Sequence, residues 1–246
     1  MLALRSPLRR WRQTLWRERG ARRCLCTDAV DEDKYLELRQ LRDIKSEEFY
    51  DEQAEHRRYF YYVDLQGRLF LENTRPKNIA TSLKSAKFLR FFFSQLQHND
   101  AATAPGDLAA FLEYPYKSPC GKEMNFIKCA DRPLVFDNLA RDPQTGEWQF
   151  AFGGGELKMP FHPETLRMSL STGRLYHDVR TRHVSPGSDE GIALVRSQLA
   201  VELAKHMEIG EIHAGDTAGG DQADSQLLVV GEFEWESKRY PIHAIE

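Results

Sequence analysis

The chain has 246 residues, 41% of them hydrophobic and 29% charged, with a formal net charge of −3 at pH 7. This composition excludes a collagen, a disulfide scaffold and a wholly disordered chain, and the length suits one compact domain with tails. The charge is unevenly placed: residues 1–25 carry eight arginines and one acid, Glu18, leaving 26 basic and 36 acidic residues, a net −10, for the rest.

Residues 1–25 read as a mitochondrial transit peptide. Arg5, Arg9, Arg10, Arg12, Arg17, Arg19, Arg22 and Arg23 come without a lysine, and Leu4, Leu8, Trp11 and Leu15 share a helical stripe among them. Arg23-Cys24-Leu25 resembles a matrix-protease cleavage site. The alternative is an arginine-rich tail that binds RNA or anionic lipid. Neither the apolar core of a secretory signal nor a charge-free apolar run near 18 residues is present, so the expectation is a soluble matrix protein with no membrane span. Cys24 and Cys26 lie in or beside this segment, which leaves Cys120 and Cys129 in the body and no disulfide framework.

Residues 26–57 read as a charged linker with a weak helix on the stripe Tyr35, Leu38, Leu41 and Ile44. A single domain is expected over residues 58–246. It opens with a hairpin, Tyr59–Val63 returning as Arg68–Leu71 around the turn residues Asp64-Leu65-Gln66-Gly67. Ser82 to about Gln97 predicts a helix capped by Ser82, with Phe88, Leu89, Phe92, Phe93 and Leu96 at three- and four-residue intervals and Phe91 widening the apolar arc, so that the helix is expected to be buried against a sheet. Its residues Lys84, Lys87 and Arg90 form a basic face, read as solvated because the acidic body argues against a polyanionic partner.

Short apolar runs separated by turns predict strands from Phe111 to Asp178. The spacing of Ile192, Val195, Leu199, Leu203 and Met207 predicts a second helix over Glu190–Met207. Residues 208–225 read as a mobile loop, and a last hairpin runs from Leu227–Val230 to Tyr240–Ile242. The expected fold is α+β, a largely antiparallel sheet with two main helices packed on it.

Reactive side chains are densest between Pro119 and Pro133. Cys120, Glu123 and Asp131, with His177 from further along, are the candidate catalytic residues, although neither thiol has a local Cys-His signature. Buried inert thiols and an Asp131-Arg132-Pro133 turn closed by an Asp-to-backbone bond are the plainer readings. Gly153, Gly154 and Gly155 offer a bend, or an anion cradle on which Arg132 and Lys158 converge. His177 and Asp178, as strand neighbours, point to opposite faces, whereas His162 and Glu164 could share one. No ligand spacing for zinc is present and no cofactor motif, so no metal and no cofactor are expected.

The strings YFYYVD (59–64), CGKEMNFIKCADRP (120–133), GGGELKMPFHPE (153–164), GRLYH (173–177) and LVRSQLAVEL (194–203) resemble the uncharacterised protein family 0598, over about residues 58–243. Some members carry a cysteine directly before the triple glycine; Phe152 stands there in this chain, against any scheme that needs a thiol at that point. The resemblance implies a mitochondrial protein and assigns no active site. Three functions therefore compete. The first is an accessory domain that binds a protein partner or an anionic metabolite without catalysis of its own. The second is a small-metabolite enzyme built around Cys120–Arg132. The third is an RNA- or ribosome-associated factor using the Lys84, Lys87 and Arg90 face.

Overall fold

The computed structural model describes residues 39–100, 106–184, 191–213 and 228–245. The chain divides into two compact units: Met1–Arg42, of which residues 39–42 are described and helical, and Asp43–Glu246, which carries every element named below. The transit-peptide segment lies outside the described residues.

The charged stretch expected as a linker contains helix α1 (Glu47–Glu55), capped by Ser46, whose hydroxyl accepts from the Phe49 amide at 3.3 Å. Glu47 and Glu48 in its first turn suit the positive end of the helix dipole. Phe49 and Tyr50 pack on a cluster of Phe60, Phe111, Tyr114 and Phe126. Two adjacent aromatics leave no periodic stripe, so the pattern of charges hid them.

Strand β1 (Arg58–Val63) forms the expected hairpin with β2 (Leu69–Leu71), Tyr61 opposite Leu71. Asp64 fixes the turn: its Oδ1 accepts from the amides of Gln66 and Arg68, each at 2.9 Å. Gly67 sits at φ +74°, and a Cβ there would lie 2.9 Å from Val135 Cβ, so both conformation and space demand glycine.

Helix α2 (Ala86–Ser94) begins later than expected. Ser85 caps it, accepting from the Phe88 amide at 3.5 Å, while the Ser82 hydroxyl donates back to the Ile79 carbonyl at 3.1 Å. Leu89, Phe92 and Phe93 are buried, and Phe92 meets Tyr61 edge-on with ring centroids 5.0 Å apart. Beneath α2 lies a five-stranded sheet in the order β2-β1-β5-β4-β3, with β3 (Gln97–His98), β4 (Tyr116–Cys120) and β5 (Glu123–Cys129). A 3₁₀ turn, Gly106–Phe111, leads into β4.

A three-stranded sheet comprises β7 (Asn138–Arg141), β8 (Trp148–Phe152) and β9 (Leu157–Pro160). A seven-stranded sheet runs in the order β13-β14-β15-β10-β11-β12-β6. Its members are β6 (Val135–Phe136), β10 (Arg167–Ser169), β11 (Leu175–Asp178), β12 (Ile192–Val195), β13 (Met207–His213), β14 (Val229–Trp235) and β15 (Lys238–Ile245). The fold is thus mixed α/β and mostly sheet. Antiparallel pairing is incomplete, because β1/β5, β10/β15 and β12/β6 run parallel.

The second expected helix is corrected. Ile192 to Val195 form a strand buried throughout, held between β11 and β6, and only Ser197–Ala204 is helical (α3). Among the described residues α1, α2, α3 and the piece at 39–42 take the place of two main helices. Residues 208–213 of the expected loop lie in β13, and the remainder lies outside the described residues. The last hairpin forms as expected, β14 against β15, turning through Glu236 and Ser237 at φ 48° and 64°.

Among the buried polar residues is an acid, Glu72, 0% exposed just after β2. Its Oε2 accepts from the hydroxyls of Tyr50 at 2.9 Å and Tyr114 at 2.8 Å, and Lys128 Nζ lies 3.4 Å from Oε1. The same ammonium sits 4.3 Å from the centroid of the Tyr114 ring. Burial first, and the Glu72 charge second, push both phenols well above their ordinary range, so both remain donors. A buried carboxylate that loses one donor pays the desolvation cost without its compensation. Tyr114→Phe is therefore expected to cost about 2 kcal/mol in urea unfolding, and Tyr50→Phe, at the half-buried edge, about half that; a neutral Tyr114→Phe contradicts this role.

Candidate functional site

The residues that looked reactive in the sequence are brought into the fold, but not to one place. Glu123 opens β5 and Cys129 closes it. Six strand steps put roughly 20 Å between them. Cys120 stands opposite Glu123 across the Gly121–Lys122 turn. Burial pushes its thiol up, the Glu123 charge adds to this, and the Ser118 hydroxyl at 3.8 Å partly offsets it. Cys129 donates its S–H to the Asp131 carbonyl at 3.2 Å and is pushed up to about 12, chiefly by burial and then by the Asp131 charge. Neither environment favours a thiolate.

Asp131 has a different role from the expected turn closure. Its Oδ2 accepts from Arg174 Nη1 at 2.9 Å and from the Tyr176 hydroxyl at 2.7 Å. Arg132 Nε lies 3.8 Å from Oδ1, and its guanidinium stands 5.9 Å from the Tyr176 ring centroid. Burial, then the hydrogen bond to Asp131, push the Tyr176 phenol up to about 12. The cluster ties the end of the five-stranded sheet to β11 of the seven-stranded one.

His177 is 0% exposed in a box of Phe136, Phe150 and Phe161, with ring centroids 5.7, 4.9 and 5.5 Å away. Its Nε2 accepts from the His162 amide at 2.9 Å, so Nδ1 carries the proton and donates to the Asp178 carbonyl at 2.6 Å. Burial, the largest cause, lowers its pKa to about 4. The Asp178 carboxylate instead pairs with Arg167 at 2.9 Å. His162 and Glu164 do approach, at 3.5 Å, but on an exposed rim.

Gly153, Gly154 and Gly155 turn β8 into β9, with φ of 60°, 79° and 85°. A Cβ on Gly154 would lie 2.8 Å from Leu89 Cδ1, and one on Gly153 would lie 3.3 Å from Phe93 Cδ2. The bend thus packs on α2, and these two glycines serve close approach of the backbone. Lys158 projects from the exposed side of β9, while Arg132 turns to Asp131 and Tyr176. Among the described residues no group of three or more His, Cys, Asp or Glu is placed to hold a metal ion, and no helix is long and apolar enough to cross a membrane. A small, partly open cavity bounded by Leu96, His98, Tyr116 and Ile192 measures about 20 Å³, room for about one water.

The basic face of α2 belongs to a wider surface. Residues 73–99 contain five cations and no acid, in a body of net −10. Arg75, Lys84, Lys87 and Arg90 are exposed and form no ion pair among the described residues. On the outward side of α2, Ser85, Lys87, Phe88, Arg90, Phe91 and Ser94 line a shallow hollow. Phe91 is 48% exposed, Leu71 41%, and Ile79, on the loop that feeds α2, 70%. Leu71 pairs with Tyr61, whose ring touches Phe88 and Phe92, so it shares the sheet face that α2 covers. The signal available in the sequence was the missing acid, which a search for reactive groups passes over.

Residues 50–243 match the family described as Domain of unknown function (DUF4505), and the chain belongs to that family. Among solved structures it is similar to a DUF1285 family protein of Silicibacter pomeroyi, at 14% identity and a TM-score of 0.39 over 76% of this chain and 83% of that one. A second DUF1285 family protein, of Shewanella baltica, is 15% identical with a TM-score of 0.37 over 60% of this chain and 91% of that one. Neither likeness bears on the site.

The depressed pKa of His177 gives the fold a pH dependence of defined sign. The unfolded chain takes up the imidazole proton near 6.5 and the folded chain near 4. The stabilisation is therefore complete above about 6.5 and is lost as pH falls toward 4, at most about 3 kcal/mol. Urea unfolding across this window should show a steeper loss in the wild type than in His177→Gln, which has no proton to gain; equal slopes contradict the assignment.

Proposed function

We propose that the protein is a binding domain of the mitochondrial matrix without catalysis of its own, and that its partner-facing surface is the outward side of α2 with the loop before it. The observation that carries this reading is the set of exposed cations, Arg75, Lys84, Lys87 and Arg90, lacking acidic partners among the described residues and standing with exposed Phe91. Apolar side chains left in water among unneutralised charges mark a surface built for a partner. The satisfied states of His177 and Asp131 and the raised thiols support the same reading, since a catalytic group needs a pKa near its working pH and room beside it. Compartment and the finer kinship with uncharacterised protein family 0598 rest on the arginine-rich, acid-poor start and on the strings quoted above.

Two measurements check this. A reporter preceded by residues 1–25 is expected to enter energised mitochondria and lose the segment; retention outside overturns the compartment. The full chain, incubated with a matrix metabolite extract, is expected to leave the small-molecule masses unchanged. A product formed by the wild type and absent with Cys120→Ser or Asp131→Asn overturns the reading in favour of an enzyme.

A further inference from the structure

We propose that this surface seats an anionic lipid bilayer, with Lys84, Lys87 and Arg90 among the headgroups and Phe91 and Ile79 reaching the acyl boundary; the inference rests on the binding reading above and names its partner.

Three observations select a lipid surface. The first is charge complementarity. The stretch 73–99 carries five cations and no acid, four of them exposed, while the other residues from 26 onward sum to −15, so an anionic plane attracts this stretch and repels most of the rest of the chain. Such a distribution orients the chain as well as binding it.

The second is shape. The hollow is lined by α2 and its cap alone, Ser85 to Ser94. A peptide helix needs a groove between two elements and an added strand needs a sheet edge; a shallow hollow on one helix offers neither, and a broad lipid surface can lie over it. The inner face of α2, Leu89, Phe92 and Phe93, is committed to the core. Contact is therefore peripheral, limited to the side chains that project.

The third is the kind of side chain that projects. Ile79 at 70% exposure, Phe91 at 48% and Leu71 at 41% are apolar and mostly aliphatic. Bases stack on aromatic faces, and Ile79 and Leu71 offer none, so Phe91 alone could stack a base here, whereas successive bases need several such platforms. Aliphatic and Phe side chains flanked by long cations suit the boundary between headgroups and acyl chains.

The experiment is vesicle co-sedimentation of the full chain in which the eight arginines of residues 1–25 are replaced by glutamine, so that the leader cannot supply the attraction. The probes are vesicles of phosphatidylcholine, with and without phosphatidylglycerol, at low salt, beside immobilised polyuridylate and polyglutamate. Binding is expected only to the phosphatidylglycerol vesicles and is expected to weaken with salt. Lys87→Glu/Arg90→Glu should lower the partition coefficient by at least about thirtyfold. Phe91→Ser should lower it about tenfold while leaving the salt dependence in place. These positions are exposed, so an unchanged melting temperature certifies the variants. Retention by polyuridylate or polyglutamate without vesicle binding, lost in Lys87→Glu/Arg90→Glu, overturns the lipid assignment and leaves the binding surface standing. Vesicle binding that ignores all these variants overturns the lipid seat on this face, and no binding to any probe overturns the surface itself.

Discussion

A single buried charge organises one half of this fold. The Glu72 carboxylate, shut away from water, is met from separate parts of the chain: by the hydroxyls of Tyr50 on α1 and Tyr114 at the entry to β4, and by the ammonium charge of Lys128 on β5. Its backbone is engaged too, since Lys77 donates to the Glu72 carbonyl at 2.7 Å and to the Thr74 carbonyl at 2.9 Å. Lys77 is thus turned inward and fastens the start of the stretch whose other cations face out. The buried acid and the acid-free surface are adjoining consequences of the same arrangement.

The other half is held by mutually satisfied groups, ion pairs among them. Asp131 reaches across to Arg174 and Tyr176, and His177 closes the aromatic box beneath them as an uncharged side chain with both nitrogens engaged. The last hairpin joins the three-stranded sheet through Glu236, which accepts from Trp148 Nε1 at 3.1 Å and pairs with Arg141. Residues of catalytic type are spent on structure here. Burial is the leading cause of the shifts at His177, Tyr176 and Cys129.

Legibility in the sequence followed the range of the interaction. The first hairpin was readable because Asp64 and Gly67 act within a few positions, and the last from the two apolar runs that form its strands. Helix α2 was readable from its phenylalanines, though the competing serine cap moved its start by three residues. The run Ile192–Val195 satisfied the helical spacing and the strand pattern alike, and only the neighbouring strands β11 and β6 decide between them. Asp131 and Tyr176 stand 45 positions apart, and Glu72 and Tyr114 stand 42 apart, so no local pattern announces either contact. The density of reactive residues in 120–133 misled for a related reason: a hairpin followed by a full strand separates what the sequence places together. The basic surface was half legible, since Lys84, Lys87 and Arg90 were visible as a face but the 27-residue absence of acid around them was not weighed.

The proposed partner-facing surface is the stretch 73–99 and not the cysteine-bearing hairpin. Hydrogen exchange of the full chain, leader arginines neutralised, with and without phosphatidylglycerol vesicles tests this directly. Slowed exchange confined to the loop after β2 and the first turn of α2 is the predicted result. Protection that falls instead on residues 120–132, or on β13 to β15, would contradict it.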